Sequence, residues 1–322
     1  MSVQEDLRTG DGDGAAPAAL DHGSIFFIGT ATVLIRYAGF TILTDPSFLH
    51  RGARIHLGYG LHATRRTDPA IEIDELPPLD LVLVSHMHED HFDRVAAERL
   101  DRTAPVVTTH HAAAVLVRKG FQVVRAIRTW ESTEIEKGSV RLRVTAMPAR
   151  HGPPVIHLAL PPVVGSLLEF ETSPGDVALR LYISGDTLVH SALREIPRRY
   201  PGIDIGLLHL GGTRILGVLL SMDGDQGVEA LRIVRPHTTL PIHYDDYTVF
   251  KSPLDDFKRA VERAGLDERV RYIARGETYT FEVPRDRLER GGAPKAPRPA
   301  PPSQAAEIDE AAAATRRPPA GS

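Results

Sequence analysis

Four side chains that commonly bind divalent metals, His86, His88, Asp90 and His91, fall within six residues of one another. Imidazole and carboxylate donors of this kind suit zinc, manganese or iron. His86 and His88 are two apart, so on an extended backbone their rings project to one side. Asp90 and His91 follow as the chain turns and can face a second position, so one short segment can serve two neighbouring metals. The residues before them, Leu81-Val82-Leu83-Val84, are uninterruptedly apolar and flanked by polar positions. Such a run reads as a strand buried on both faces. The candidate ligands then sit in the loop past its end, where a rigid core can aim them.

Three later segments repeat this arrangement. His151 follows an expected strand at 140–146 and precedes the turn cluster Gly152-Pro153-Pro154. Asp186 follows a strand at 178–184, with Gly185 permitting a sharp bend, and His243 closes a strand at 238–243. A hydrolytic dinuclear site needs about five to seven nitrogen and oxygen ligands and an open position for substrate. These strand ends supply that number.

Taken in order, the motifs resemble the metallo-β-lactamase superfamily. They are Gly29-Thr30-Ala31-Thr32-Val33-Leu34-Ile35, Leu43-Thr44-Asp45-Pro46, the His86 to His91 signature, Pro148-Ala149-Arg150-His151-Gly152, Ser184-Gly185-Asp186-Thr187 and Pro241-Ile242-His243-Tyr244. The flanking pattern is most similar to the branch containing ascorbate-6-phosphate lactonase and N-acylphosphatidylethanolamine phospholipase D. The resemblance spans residues 24–283 and implies an α/β fold, the four-layer αββα sandwich. It further implies two divalent ions, zinc first, with manganese or iron as alternatives. On the family's pattern His86, His88 and His151 hold one metal, Asp90, His91 and His243 hold the other, and Asp186 bridges them. Asp90 would also orient the attacking hydroxide and exchange a proton. Asp45 would accept the free N–H of a ligating histidine and fix its tautomer. Many relatives carry histidine where this chain has Thr30, which weakens the transfer of any one relative's substrate.

The bulk properties fit a globular enzyme of 322 residues. A net charge of −4 gives no electrostatic footprint for nucleic acid. Cysteine is absent, so disulfides and thiolate ligands are excluded. No signal pattern opens the chain, and the most apolar stretch, 155–168, is broken by Pro161, Pro162 and Gly165 before it could span a membrane. A cytoplasmic protein acting on a small molecule is the expectation, with its oligomeric state open.

One domain is expected at 23–284, between extensions at 1–22 and 285–322 that should lack stable structure. The first is rich in Gly, Ala and Asp, and the second in Arg, Pro and Ala. Within the domain, strands are expected at 24–28, 32–37, 40–44, 79–85, 106–109, 123–126, 140–146, 165–170, 178–184, 203–209, 238–243, 270–274 and 278–283. Helices are expected at 90–100, 110–119, 187–199, 224–234 and 253–264.

Substrate signals are thin. The apolar segments 153–168 and 215–220 could wall an acyl-accommodating pocket, or pack in the core. His50, His56 and His62, with Arg51, Arg54, Arg65 and Arg66, could recognise an anion or form an ordinary charged surface loop. Asp245 and Asp246 read as exposed acids, and His110, His111, His157, His190, His209 and His237 have no motif support. The favoured reaction is hydrolysis of a lactone or other ester, or of a phosphodiester, by a metal-bridged hydroxide. An iron-dependent oxidoreductase on the same scaffold and a non-catalytic metal-binding domain are the alternatives. The intact set of seven ligand-type residues argues against both.

Overall fold

A computed structural model describes residues 7–8, 20–58, 60–173 and 175–283. Two seven-stranded sheets form the centre. The first is ordered Thr278–Glu282, His22–Gly29, Thr32–Tyr37, Phe40–Thr44, Leu81–Val84, Val106–Thr108 and Val124–Ala126. The second is ordered Leu7–Arg8, Ser132–Lys137, Val140–Pro148, Val164–Ser173, Asp176–Ile183, Ile205–His209 and Thr238–Ile242. Apart from the parallel pairing of Leu7–Arg8, antiparallel pairs give way in both to parallel pairs towards one edge, and short helices lie in most of the connections between the parallel strands.

Alternating side chains explain the layers. Ile25, Phe27, Val33, Ile35, Leu81 and Leu83 face inward and join Leu142, Val144, Phe170 and Leu181 of the second sheet in one core. Ile28, Leu34, Leu43, Val82 and Val84 point the other way, into a second cluster with Ala96, Ala97 and Leu116 of the helices Arg94–Arg99 and His110–Arg118. The helices Gly224–Val234 and Leu254–Ala264 add Val228, Leu231, Phe257 and Val261 to the main core. Each such buried aliphatic side chain contributes roughly 1.5–3 kcal/mol. Helix, sheet, sheet, helix is the αββα sandwich expected for this chain.

Several elements differ from expectation for identifiable reasons. The helix expected from 90 starts at Arg94, because Asp93 is its cap and accepts the Ala96 N–H at 2.9 Å. The other Asp93 oxygen accepts from Phe48 and Leu49, which pins the preceding loop. Residues 187–190 are not helical, since Leu188 N–H is drawn to the Arg150 carbonyl at 2.9 Å. Only Ser191–Arg194, a 3-10 turn, and Glu195–Arg199 are helical there. Val270 makes a single bridge to Thr239 rather than opening a strand. The strand Ser132–Lys137 and the hairpin Arg54–Gly58 with Leu61–Thr64 were not expected, because polar residues dominate their exposed faces.

Of the extension expected to lack structure at 1–22, Leu7–Arg8 pairs parallel with Ile135 and Glu136, and His22 opens a strand. The tail at 285–322 lies outside the described residues. No helix among the described residues is long and apolar enough to cross a membrane.

Candidate metal centre

Strand direction gathers the candidate ligands at one edge of the sandwich. Phe40–Thr44 and Leu81–Val84 are parallel neighbours, so Asp45 and His86 leave them side by side. The Asp45 N–H donates to the Leu83 carbonyl at 2.8 Å, and the Ser85 N–H donates to Asp45 Oδ1 at 2.7 Å. In the second sheet Asp176–Ile183, Ile205–His209 and Thr238–Ile242 are also parallel, which places Asp186, His209 and His243 at one edge. Val140–Pro148 runs in the same direction two strands away and delivers His151 there as well. The two edges are joined where the Val164 N–H donates to the Ser85 carbonyl at 3.1 Å.

The structure brings all seven sequence-derived residues together. One group is His86, His88 and His151, and another is Asp90, His91 and His243; in each, one ligand atom per residue lies within 4.8 Å of the others. Asp186 stands between the groups, with Oδ1 3.5 Å from His91 Nε2 and 3.5 Å from His243 Nδ1, and Oδ2 4.0 Å from His151 Nε2. Asp90 Oδ2 lies 3.4 Å from His243 Nε2, and His86 Nε2 lies 2.9 Å from His88 Nδ1. Donors at bond lengths of about 2.0–2.2 Å from a tetrahedral ion are roughly 3.4 Å apart, which is close to this spacing. Asp90 Oδ1, His91 Nε2 and Asp186 Oδ1 are buried and make no hydrogen bond within the protein. Buried polar atoms are rarely left so, and a shared cation would satisfy all three. The donor set therefore fits one or two divalent ions.

The outer nitrogens of the rings are braced. His151 Nδ1 donates to the Leu220 carbonyl at 2.9 Å, and His86 Nδ1 is 3.0 Å from Ser85 Oγ. His91 Nδ1 is 3.1 Å from Asp45 Oδ2, so the Asp45 carboxylate backs a ring whose Nε2 faces Asp90 and Asp186. These contacts suit the tautomers in which each ring, once neutral, turns its Nε2 lone pair inward.

Charge is divided unevenly across the cluster. Burial, reinforced by the neighbouring imidazoles, holds His86 well below the ordinary histidine value and His88 at about 4. Burial also lowers His151, against the pull of Asp186. These three rings are therefore neutral near pH 7 and can donate lone pairs. Burial opposes charging His91, but Asp186, Asp45 and Asp90 outweigh it and raise His91 strongly. Burial likewise works against ionised Asp45, yet His91 and His209 prevail and hold it at about 2. Asp90 and Asp186 are lowered despite burial by His91 and His243. Ionised acids packed among imidazoles form a cation-attracting pocket.

Backbone strain concentrates here. Thr30, Asp45 and His243 have φ of 52°, 36° and 60°, a region that residues other than glycine seldom adopt. Asp246 helps to hold them: one oxygen accepts the Thr30 N–H at 2.9 Å, and the other contacts Arg275 at 2.8 Å and the Thr67 hydroxyl. Asp246 is thus fully buried, not the exposed acid expected, while Asp245 is exposed, as expected. Arg65, expected on a charged surface loop, is also buried, packing over Tyr247 and donating to Ser47. His50 pairs with Asp68 and Glu72. The apolar segments divide: Leu167 and Leu168 are core, whereas Val155, Leu158 and Leu216 are 81%, 68% and 93% exposed.

His209 is the residue that motif reasoning missed. It is fully buried, with Nε2 3.4 Å from Asp45 Oδ2. The available signal was its place at the end of an apolar strand, the position shared by the candidate ligands.

Known proteins resemble this chain in sequence and in fold. A family profile described as "beta-lactamase superfamily domain" matches residues 41–244. A UPF0173 metal-dependent hydrolase of Ignicoccus hospitalis is 30% identical over 209 residues, covering 63% of this chain and 79% of that protein. The chain belongs to this family of metal-dependent hydrolases. Another UPF0173 member, from Hyperthermus butylicus, is 26% identical over 265 residues, 80% of this chain and all of its own length. Among solved structures, a possible metal-dependent hydrolase from Veillonella parvula aligns with a TM-score of 0.68 at 20% identity, covering 82% of this chain and 100% of that one. At that identity the structural likeness speaks for the fold. The family membership makes the clustered histidines and carboxylates candidates for a hydrolytic metal site.

Proposed function

We propose that this member of the family is a dinuclear hydrolase of lactones or other esters, or of phosphodiesters, on small or acyl-bearing substrates. The observation that carries the reading is the pair of three-residue groups with Asp186 between them. His86, His88 and His151 would hold one ion, Asp90, His91 and His243 the other, and Asp186 would contact both. Zinc suits the donors best, with manganese or iron as alternatives. When bound, such a pair of cations supplies a hydroxide-strength nucleophile at neutral pH and polarises the oxygen of the bond to be cut.

The chain's own residues do the rest. Asp90 Oδ1, buried and without a protein partner, would orient the attacking water. Because His91 and His243 keep Asp90 strongly acidic despite burial, it positions the water more than it drives deprotonation. Asp45 never reaches substrate; it steadies His91 from behind. Gly152, next to His151, donates its N–H to the Leu220 carbonyl at 2.8 Å, tying together the loops that carry Val155, Leu158 and Leu216. Exposed apolar side chains on loops braced to His151 favour a substrate with a hydrocarbon portion. The resemblance to lactonase and phospholipase D relatives supports the same bond classes.

The test is elemental mass spectrometry of gently purified protein, followed by hydrolysis assays on lactones and phosphodiesters with short and long acyl chains. About two equivalents of zinc or manganese, with turnover of either class, is the expected result. Iron as the main metal would redirect the reading to oxidative chemistry, and no stoichiometric metal after reconstitution would overturn it.

A further inference from the structure

We infer that His209 is a positioning residue for the centre, acting on His91 through the carboxylate of Asp45. The inference rests on the reading of His91 as a metal ligand. Asp45 Oδ1 is already engaged by the Ser85 N–H at 2.7 Å. Its Oδ2 is approached by two imidazoles, His91 Nδ1 at 3.1 Å and His209 Nε2 at 3.4 Å. The two rings lie nearly parallel, 12° apart with centroids 5.8 Å from each other.

His209 is itself fixed from within its own sheet, by the residue that follows the neighbouring strand. Its backbone N–H donates to Ser184 Oγ at 2.9 Å, and its Nδ1 lies 3.2 Å from the same hydroxyl. Ser184 stands two residues before Asp186. His209 Nε2 is buried and makes no regular hydrogen bond, leaving the Asp45 oxygen as its polar neighbour. In the Nε2–H tautomer the ring proton lies on the Asp45 side, and the Ser184 hydroxyl, whose oxygen also lies 2.9 Å from the Gly185 carbonyl, can turn its own proton to Nδ1. A chain of contacts thereby runs from the Asp186 strand end to His91, coupling ligands delivered by different sheets. Asp45, His91 and His209 also lie close enough to share a cation. Holding an ion there through Nδ1 while Nε2 holds another beside Asp90 and Asp186 would require both nitrogens of His91 to be deprotonated.

The experiment uses the full chain with His209→Leu, His209→Asn and His209→Gln, with His91→Ala as the reference for loss of one ion. Retained metal is measured by elemental mass spectrometry against graded chelator. Ring nitrogen-15 shifts of His91 and His209 are recorded on metal-free protein. Gln can place an amide N–H near the Nε2 position, whereas Asn reaches only the Ser184 side and Leu neither. In the Leu and Asn variants one equivalent should be released at about 10- to 100-fold lower chelator, the usual effect of removing a ligand's supporting partner. The Gln variant should recover retention, and wild-type His209 should carry its proton on Nε2. Equal loss in Gln and Leu would reduce His209 to packing and overturn the inference. So would a His209 proton on Nδ1, or loss of a third equivalent with two retained. If wild-type protein binds no metal, the dinuclear reading fails, and the nitrogen-15 shifts still decide the contact with Asp45.

Discussion

The Thr30 carbonyl accepts the His243 N–H at 2.7 Å, joining the turn after the strand His22–Gly29 to the last candidate ligand in the chain. Both residues have left-handed backbones. The conformation of His243 is therefore held by a turn far away in sequence, which Asp246 holds in turn through the Thr30 N–H.

Asp246→Ala should expose this dependence. It strands the buried Thr30 N–H, at a cost of about 1–3 kcal/mol, and removes one of two carboxylate partners from the partly exposed Arg275. Chemical denaturation should show a lower midpoint, and metal retention should weaken in the group containing His243. An unchanged midpoint would refute the bracing role.

Gly211→Ala should perturb the same residue from the other side. Gly211 has φ of +87°, and an added Cβ would lie 2.6 Å from the His243 carbonyl oxygen and 3.1 Å from Phe250. Backbone strain alone costs roughly 1–3 kcal/mol. Lower thermal stability together with reduced metal content is the expected outcome; normal metal content would show that the His243 carbonyl can shift freely.

Acid should destabilise the metal-free protein between pH 6.5 and about 4. His88 and His190 are each lowered to about 4, mainly by burial. In that window the unfolded chain binds protons that the folded chain does not, so stability falls as pH falls, by at most ~1.4 kcal/mol per pH unit for each group. His91 and His243, being raised, are charged in the folded state throughout, so they oppose this slope near pH 6.5, where the unfolded rings titrate, and add none once those rings are protonated. Denaturation midpoints at pH 7, 6, 5 and 4 check the sign; a flat profile would contradict it.

Leu158→Ser and Leu216→Ser should separate substrate binding from folding. Both side chains are largely exposed, so stability should change by less than about 0.5 kcal/mol. If they contact a hydrocarbon portion of the substrate, KM for long-chain esters should rise by about tenfold, equivalent to ~1.4 kcal/mol, with kcat little changed. Equal KM values for short and long chains would remove these loops from substrate recognition.

Much of the centre was legible from residue order because its first segment is local. His86, His88, Asp90 and His91 share a loop, and the unbroken apolar run before them marks a strand covered on both faces. His151, Asp186 and His243 were legible because each ends a strand at a turn signal. The layers followed from alternating apolar positions, as in Leu81–Val84, where leucines face one core and valines the other. Helix limits were less legible, since the start at Arg94 depends on an Asp93 cap that also binds Phe48 and Leu49.

Which side chains stand behind those ligands depends on contacts between segments far apart in the chain. Asp246 and Arg65 read as surface charges because burial of a charge depends on partners distant in sequence, here Thr30 and Arg275 for one and Ser47 and Tyr247 for the other. His209 carries no motif, and its position beside Asp45 exists only because the edges of two sheets meet. The sequence by itself determined the donor chemistry and the strand ends that present it. The packing of one sheet against the other determined the distances between them, because residues on separate sheets have no local geometry to relate them.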